Sequence, residues 1–372
     1  MKFTARKQDL EAVLGYAQRA VAARPVSAIM ECILLTAEAG GVSLVGTDGM
    51  LTISTTPFLC DVEEEGSVAL GQKLFSDIVK RLPGELVVIE VDERLQATIR
   101  SGRSVLRMPG LHGTDFPLPV MEDDEPRQPL LVIAEKLRDM IRQTIFSVSP
   151  DPTKPVLTGE LLEIKESQLR VIAIDMFRIS YRSHPLNERT EDTKAVVPAR
   201  ALGELMRMIG QDKDQEIEFF FTDTKAVFTC QEFTLASNLL HGDFIRYDQI
   251  FNDDFTTKIH IRREELMASC ERVMLLTTEG RVVTMKLTIA DDELTVHSLT
   301  EKGEVTDVIP VQAEGKELTI YFNPRYFVDV MRVMITEKVS IRFNSVMSPC
   351  TITGPDQDPG TKYLIVPLRP PQ

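Results

Sequence analysis

The chain is poor in the residues that redox chemistry, metal binding and secretion rely on. Its 372 residues include only five cysteines and five histidines. The cysteines (Cys32, Cys60, Cys230, Cys270 and Cys350) are odd in number and lack any Cys-x-x-Cys spacing, so they read as small core hydrophobes in a reducing compartment. The histidines (His112, His184, His241, His260 and His297) share no metal-ligand spacing. Neither Gly-x-x-x-x-Gly-Lys-Ser/Thr nor Gly-x-Gly-x-x-Gly occurs, so no phosphate cradle is signalled. No Gly-x-Ser-x-Gly nucleophile turn occurs either. No run of about eighteen apolar residues signals a membrane-spanning helix. The segment from Met1 to Arg6 lacks the apolar core of a signal peptide. These absences predict a cytoplasmic protein without metal or cofactor, and a function other than catalysis. His241-Gly242-Asp243 has the outline of a base and its orienter, but Leu111-His112-Gly113 occupies the matching place earlier in the chain. A repeated polar turn is the better reading. The acid pairs Asp253-Asp254 and Asp291-Asp292 read as solvated turns, not Mg²⁺ sites.

What the chain does have is an internal repeat. The stretch from Arg200 to Arg207 reads basic, any, apolar, any, acidic, apolar, apolar, basic, and so do Lys73 to Lys80 and Arg325 to Arg332. At about 100° per residue, Leu202, Leu205, Met206 and Ile209 share one helix face, as do Phe75, Ile78, Val79 and Leu82, and Phe327, Val330, Met331 and Met334. The opposite faces carry Arg200, Glu204 and Arg207; Lys73, Asp77 and Lys80; and Arg325, Asp329 and Arg332. Copies a third of the chain apart fix the architecture before any motif does. Each copy is preceded by a further amphipathic helix, marked by Leu10, Val13, Leu14 and Ala17, by Leu137, Met140 and Ile141, and by Leu266, Cys270 and Val273. Short alternating runs predict strands near 32–37, 42–46, 50–55, 85–91, 96–101 and 104–108, then 130–133, 161–164, 169–174, 216–221 and 225–230, then 258–261, 284–289, 293–298, 305–309, 339–343 and 361–366. Acidic, turn-rich stretches at 121–126 and 251–255 read as linkers. The expected domains are 1–122, 128–251 and 257–372, each two helices on antiparallel sheets, an α+β class. Long strand edges are managed by pairing with the next copy, so the copies are expected to join sheet to sheet. Units joined head to tail by one relation form an arc that closes or propagates.

The formal charge of −14 argues against a polyanion partner unless positive charge is gathered on one face. A solvated face laced by i,i+3 and i,i+4 ion pairs explains one such helix. Three copies with cations at both ends favour a shared cationic surface. Arg24, Lys154 and Arg281 recur in matching loops. Six helices per chain, doubled by a second chain and spaced about 9 Å apart, would line a circle roughly 34 Å across, and removing about 5 Å of helix radius per side leaves an opening of roughly 25 Å. A duplex would pass through with few specific contacts.

Several motifs then resemble one family. Met1-Lys2-Phe3-Thr4, Arg24-Pro25, Gly46-Thr47-Asp48, Arg100-Ser-Gly-Arg103-Ser104, Glu204-Leu-Met-Arg-Met208, Phe322-Asn323 with Tyr326, and Val366-Pro367-Leu368-Arg369 are similar, in order and over the whole chain, to the bacterial DNA polymerase III beta subunits, the sliding clamps. The resemblance implies three clamp-type domains forming half of a closed ring, completed by a head-to-tail homodimer. It also implies that double-stranded DNA is encircled without sequence preference, that the replicative polymerase, the clamp loader and other partners are held by short motifs, and that there is no catalytic residue. By position, it places DNA contacts at Arg24, Lys73, Lys154, Arg200 and Arg207. It places a partner-peptide cleft at Leu157, Ile174, Met176, Phe177, Arg178, Ile179, Ile245, Ile250, Asn323, Tyr326, Val346, Leu364, Val366, Pro367, Leu368 and Arg369; an apolar trough of this kind suits an extended peptide. The dimer contact would set Arg100, Arg103, Leu106, Arg107 and Met108 of one chain against Leu275, Leu276, Glu301, Glu304 and Asp307 of the other, opposite charges fixing register. The chain departs from the family's usual Asp-Gly-His-Arg at Asp175-Met176-Phe177-Arg178, where the two large side chains are expected to reshape the cleft floor. Pro370-Pro371-Gln372 run past the family's common end. The competing readings are a monomeric three-domain adaptor that binds peptides without enclosing DNA and, more weakly, a hydrolase built on the same units.

Overall fold

The computed structural model describes residues 1–22, 27–118, 129–186, 190–210, 215–251, 254–277, 283–354 and 360–370. The expected linker at 121–126 and the basic loop residues Arg24 and Arg281 lie outside them. Six α-helices occur among the described residues: α1 (Lys7–Ala17), α2 (Gln72–Arg81), α3 (Ala134–Thr144), α4 (Ala199–Met208), α5 (Arg263–Met274) and α6 (Pro324–Val333). All six fall where apolar periodicity placed them. α1 buries Leu10, Val13, Leu14 and Ala17, and α5 buries Leu266, Cys270 and Val273. α6 starts where Asn323 accepts a hydrogen bond from the Arg325 amide at 3.0 Å and Pro324 supplies the preset first turn. One residue of the α4 stripe differs. Met206 is half-buried, and Met208 is buried in its place beside Leu202, Leu205 and Ile209.

The chain divides into two compact units, residues 1–136 with 204–239 and residues 137–203 with 240–372. The seam falls inside the second repeat because the sheets run through the repeat borders. In the first unit a thirteen-stranded sheet is continuous from Leu130–Ile133 to Asp61–Glu64. Its internal join pairs Phe233–Asn238 antiparallel with Leu51–Thr55, Phe233 opposite Thr55 and Ser237 opposite Leu51. In the second unit a nine-stranded sheet joins Arg178–Pro185 to Thr361–Ile365, with Arg178 opposite Ile365 and Arg182 opposite Thr361. A four-stranded sheet, from Gly303–Pro310 to Leu318–Phe322, completes that unit. The edge pairing expected from sequence is therefore present. Two of the joining strands, Phe233–Asn238 and Arg178–Pro185, were not among the predicted runs. The first holds a short Leu-Ala-Ser pattern, and the second is too polar to alternate cleanly.

Cores form where helices lie on sheet faces. In the first unit Phe3, Leu10, Leu35, Phe75 and Ile89 share one cluster; in the second Leu266, Phe322, Phe327, Ile341 and Tyr363 share another. Each such side chain contributes roughly 1.5–3 kcal/mol on leaving water. α1 lies so close to strand Gly41–Thr47 that any side chain at Gly46 would meet the Ala17 carbonyl oxygen at 2.0 Å. The adjacent acids Asp291 and Asp292 both take positive φ in the hairpin between Met285–Ala290 and Glu293–Thr300, and Asp292 accepts from the Ala313 amide at 2.9 Å. They are a structural turn, as expected.

One buried group fits no such account of apolar packing. Glu160, on strand Gly159–Lys165, is fully buried, and neither carboxylate oxygen has a hydrogen-bond partner among the described residues. Burial pushes its pKa up to about 8, and nearby Thr144 offsets only part of that rise.

Candidate functional site

The three repeated helices present their basic residues to solvent. Lys73 and Lys80 of α2, Arg200 and Arg207 of α4, and Arg325 and Arg332 of α6 are all exposed. The acidic residue between each pair does different work in each copy. Asp77 takes Arg81 at 3.0 Å within α2. Glu204 takes Arg207 at 2.6 Å and Arg19 at 3.1 Å. Asp329 was expected on the outer face of α6 but turns to the sheet, where Arg178 donates to it at 2.6 Å. Arg332 meets Glu271 of α5 at 3.0 Å. Lys154 is exposed, and its Nζ lies 3.0 Å from Met176 Sδ. The predicted contact at Arg24 falls outside the described residues.

Of the residues predicted for a peptide cleft, Phe177 and Tyr326 lie about Arg178 in the second unit. The Asp175 carboxylate accepts from the Phe177 amide at 2.7 Å and the Arg178 amide at 2.9 Å, which closes the turn between strands Gln168–Ile174 and Arg178–Pro185. The Arg178 guanidinium then donates Nε to Asp175 at 2.9 Å, Nη1 to Asp329 at 2.6 Å and Nη2 to the Phe146 carbonyl at 2.5 Å. It lies over the Tyr326 ring at 4.8 Å and the Phe146 ring at 5.3 Å. Phe177 stacks on Tyr326 with centroids 6.1 Å apart. The Val366 amide donates to Phe177 O at 2.8 Å, and the Leu368 amide to Tyr321 O at 2.7 Å, tying down the segment that carries Val366, Pro367, Leu368 and Arg369. Asn323 is half-buried, since its side chain caps α6. Asp175 and Asp329, named in the sequence but not as partners of Arg178, and Phe146 and Tyr321 were not read as site residues. Only the Asp-x-x-Arg spacing of a turn could have signalled the first.

The predicted cleft residues divide by exposure. Leu157, Ile174, Ile179 and Leu364 are buried in one apolar cluster, with Val366 packed against it. Ile245, Ile250 and Val346 are exposed. Met176 and Phe177, expected on the floor, are 60% and 49% exposed. They sit at the tip of a two-strand turn, where side chains project away from the buried cluster.

Two strands lack a partner along one side among the described residues. The stretch from Ser104 to Met108 pairs only with Gln96–Ser101, and Gly303–Pro310 is the outer strand of its sheet. Arg100, Arg103 and Arg107 are exposed on or beside the first, and Glu301 and Glu304 on or beside the second. Arg100 is already held by Glu90 at 2.6 Å, and Glu304 by His297 at 3.0 Å. Two expectations need correction. Met108 is buried in its own core, because strand alternation turns it inward. Asp307 is half-buried, accepting from Ser269 at 2.7 Å and Arg272 at 2.9 Å. Leu106 and Leu276 are half-buried and Leu275 is exposed. Exposed Val105 and Val308 add apolar surface on these edge strands, and Leu299 on the strand next to the second, that the charge pattern had hidden.

No helix of the described chain is long and apolar enough to cross a membrane. Among the described residues no three His, Cys, Asp or Glu side chains gather as metal ligands.

Comparison with known proteins covers the whole chain. Models of the DNA polymerase III beta subunit match in three parts, the N-terminal domain over residues 1–121, the central domain over 132–245 and the C-terminal domain over 248–369. A beta sliding clamp of Halalkalibacterium halodurans is 32% identical over 96% of both chains, and that of Bacillus subtilis is 30% identical over 99% of this chain and 100% of its own. Among solved structures, a DNA polymerase sliding clamp from Bacillus subtilis superposes with a TM-score of 0.95 at 30% identity over 100% of each chain. A putative DNA polymerase III beta subunit from Eubacterium rectale gives 0.94 at 32% identity over 99% of each. A sliding clamp from Pseudomonas aeruginosa bound to griselimycin gives 0.94 at 25% identity over 100% of each.

Proposed function

Because the chain belongs to the DNA polymerase III beta subunit family, the sliding clamps, we propose that two copies close head to tail into a ring around double-stranded DNA and act as a processivity factor without catalysis of their own. The ring comprises three clamp domains per chain, at 1–122, 128–251 and 257–372, and works in the cytoplasm. Its contacts with DNA are electrostatic and sequence-independent, made by Lys73, Arg200 and Arg207 with the loops at Arg24 and Lys154. The observation that carries this reading is the recurrence of exposed cations at both ends of α2, α4 and α6 on a chain of net charge −14. The Arg178 cleft holds short motifs of the replicative polymerase, the clamp loader and other clients, with apolar anchors over the Leu157–Ile179–Leu364 floor.

Two experiments test it. Replacing Lys73, Arg200 and Arg207 with Glu is expected to shorten retention on nicked circular DNA by at least about tenfold at low salt, since each lost phosphate contact lowers the salt slope by about one. Binding of a cleft peptide should be unchanged. Undiminished retention would leave these faces merely solvated. Light scattering at micromolar concentration should give a dimer, and Arg103→Glu with Arg107→Glu should shift it toward monomer through like-charge repulsion at Glu301 and Glu304. A parent protein that is monomeric would instead favour a peptide-binding adaptor that never encloses DNA.

A further inference from the structure

We propose that a cavity beside the cleft is an annex that takes a carboxylate-bearing extension of the bound peptide, an inference that rests on the cleft reading above. The cavity is about 600 Å³, within the roughly 300–1,000 Å³ of ligand sites. It continues the cleft floor along the same sheet face. Ile179 stands opposite Leu364 in the floor, and two residues on, Tyr181 stands opposite Lys362 in the cavity wall. Same-face neighbours on a strand are about 7 Å apart, so a peptide anchored over the floor reaches the cavity with two to four further residues.

The wall has the chemistry of a carboxylate site. Among the described residues Arg170, Arg182 and Lys362 line it, against one lining acid, Asp248, which is already met by Lys165 at 3.4 Å. Arg170 is only 9% exposed, and Glu166 at 3.0 Å and Glu163 at 3.6 Å fix its terminal nitrogens. Its Nε is buried with no hydrogen-bond partner among the described residues, which leaves donor capacity that the two glutamates do not use. Tyr181, Tyr247 and Phe251 pack with ring centroids 5.8 Å apart and offer an apolar wall to the stem of an acidic side chain. Lys362 Nζ lies 5.9 Å from the Phe251 ring centre. A fixed guanidinium and an ammonium on a flexible stem in the wall of one cavity suit a carboxylate on a flexible extension.

The test uses the full protein and fluorescently labelled peptides: one with apolar anchors alone, and two series in which either end is extended by residues ending in Glu or in Gln. The Glu extension is expected to bind about tenfold tighter than the anchors alone at low ionic strength, the scale of one charge-assisted hydrogen bond. Lys362→Ala should remove most of that gain and leave the anchor peptide unchanged. No gain from Glu, an equal gain from Gln, or a gain that survives Lys362→Ala would each overturn the annex. Failure of the anchor peptide to bind would instead remove the cleft reading, and the annex with it.

Discussion

Replacing Arg178 with alanine is expected to lower the unfolding free energy of its unit by about 3–5 kcal/mol, the cost of stranding a buried ionic partner. Arg178 joins Asp175 on its own turn to Asp329 on α6, and all three side chains are largely shielded from water. Truncation leaves two carboxylates facing each other without their shared cation. It also removes the support beneath Tyr326, so affinity for a cleft peptide should fall by at least about tenfold even where the protein stays folded. Lysine should recover only part of both losses, because an ammonium cannot reproduce the planar fork that reaches two carboxylates and a carbonyl. Denaturant titration and peptide anisotropy on the same samples separate the two effects. A variant of unchanged stability would mean that the ion triad contributes nothing to the fold. Deleting the chain from Leu364 onward is a poorer probe of the cleft, because Thr361–Ile365 is an interior strand of the nine-stranded sheet and its loss would unfold the unit.

Glu160→Gln should act in the opposite direction. Burial raises the Glu160 pKa from 4.5 to about 8. Between those values the folded chain keeps a proton that the unfolded chain releases, so stability declines as pH rises from about 4.5 to about 8. At 1.36 kcal/mol per pH unit the decline amounts to about 4–5 kcal/mol. Glutamine matches the neutral form, so the variant should lack this slope and exceed the parent in stability at pH 8. Denaturant titrations of both proteins at pH 5 and pH 8 check this. Parallel pH dependences in parent and variant would show that Glu160 does not titrate in that window.

The sequence announced the helices because a period of 3.6 with three or four apolar residues per face leaves little room for another reading. Four of the helix-face assignments on α2 and α6, Phe75, Val79, Phe327 and Met331, are fully buried. The orientation of charged residues was less legible. Asp329 looks solvent-facing on a helical wheel, yet the partner that claims it, Arg178, lies 151 positions away. Glu204 finds Arg19 across 185 positions in the same manner. Periodicity carries no information about such long-range partners. Met108 was misread for a simpler reason: its place within a strand set its direction, and a charge-based reading of the neighbouring arginines ignored that alternation. Met176 and Phe177 were placed by their position in a family motif, whereas the turn closed by Asp175 sets them at its exposed tip.

The strand register that fuses Phe233–Asn238 with Leu51–Thr55, and Arg178–Pro185 with Thr361–Ile365, bears on how such chains can be recombined. The three copies look like interchangeable cassettes with splice points at their acidic linkers. A hybrid spliced there would have to rebuild a ladder of main-chain bonds between foreign strands at each border. Splice points that follow the compact units, near residues 136, 204 and 240, leave both ladders with their native partners.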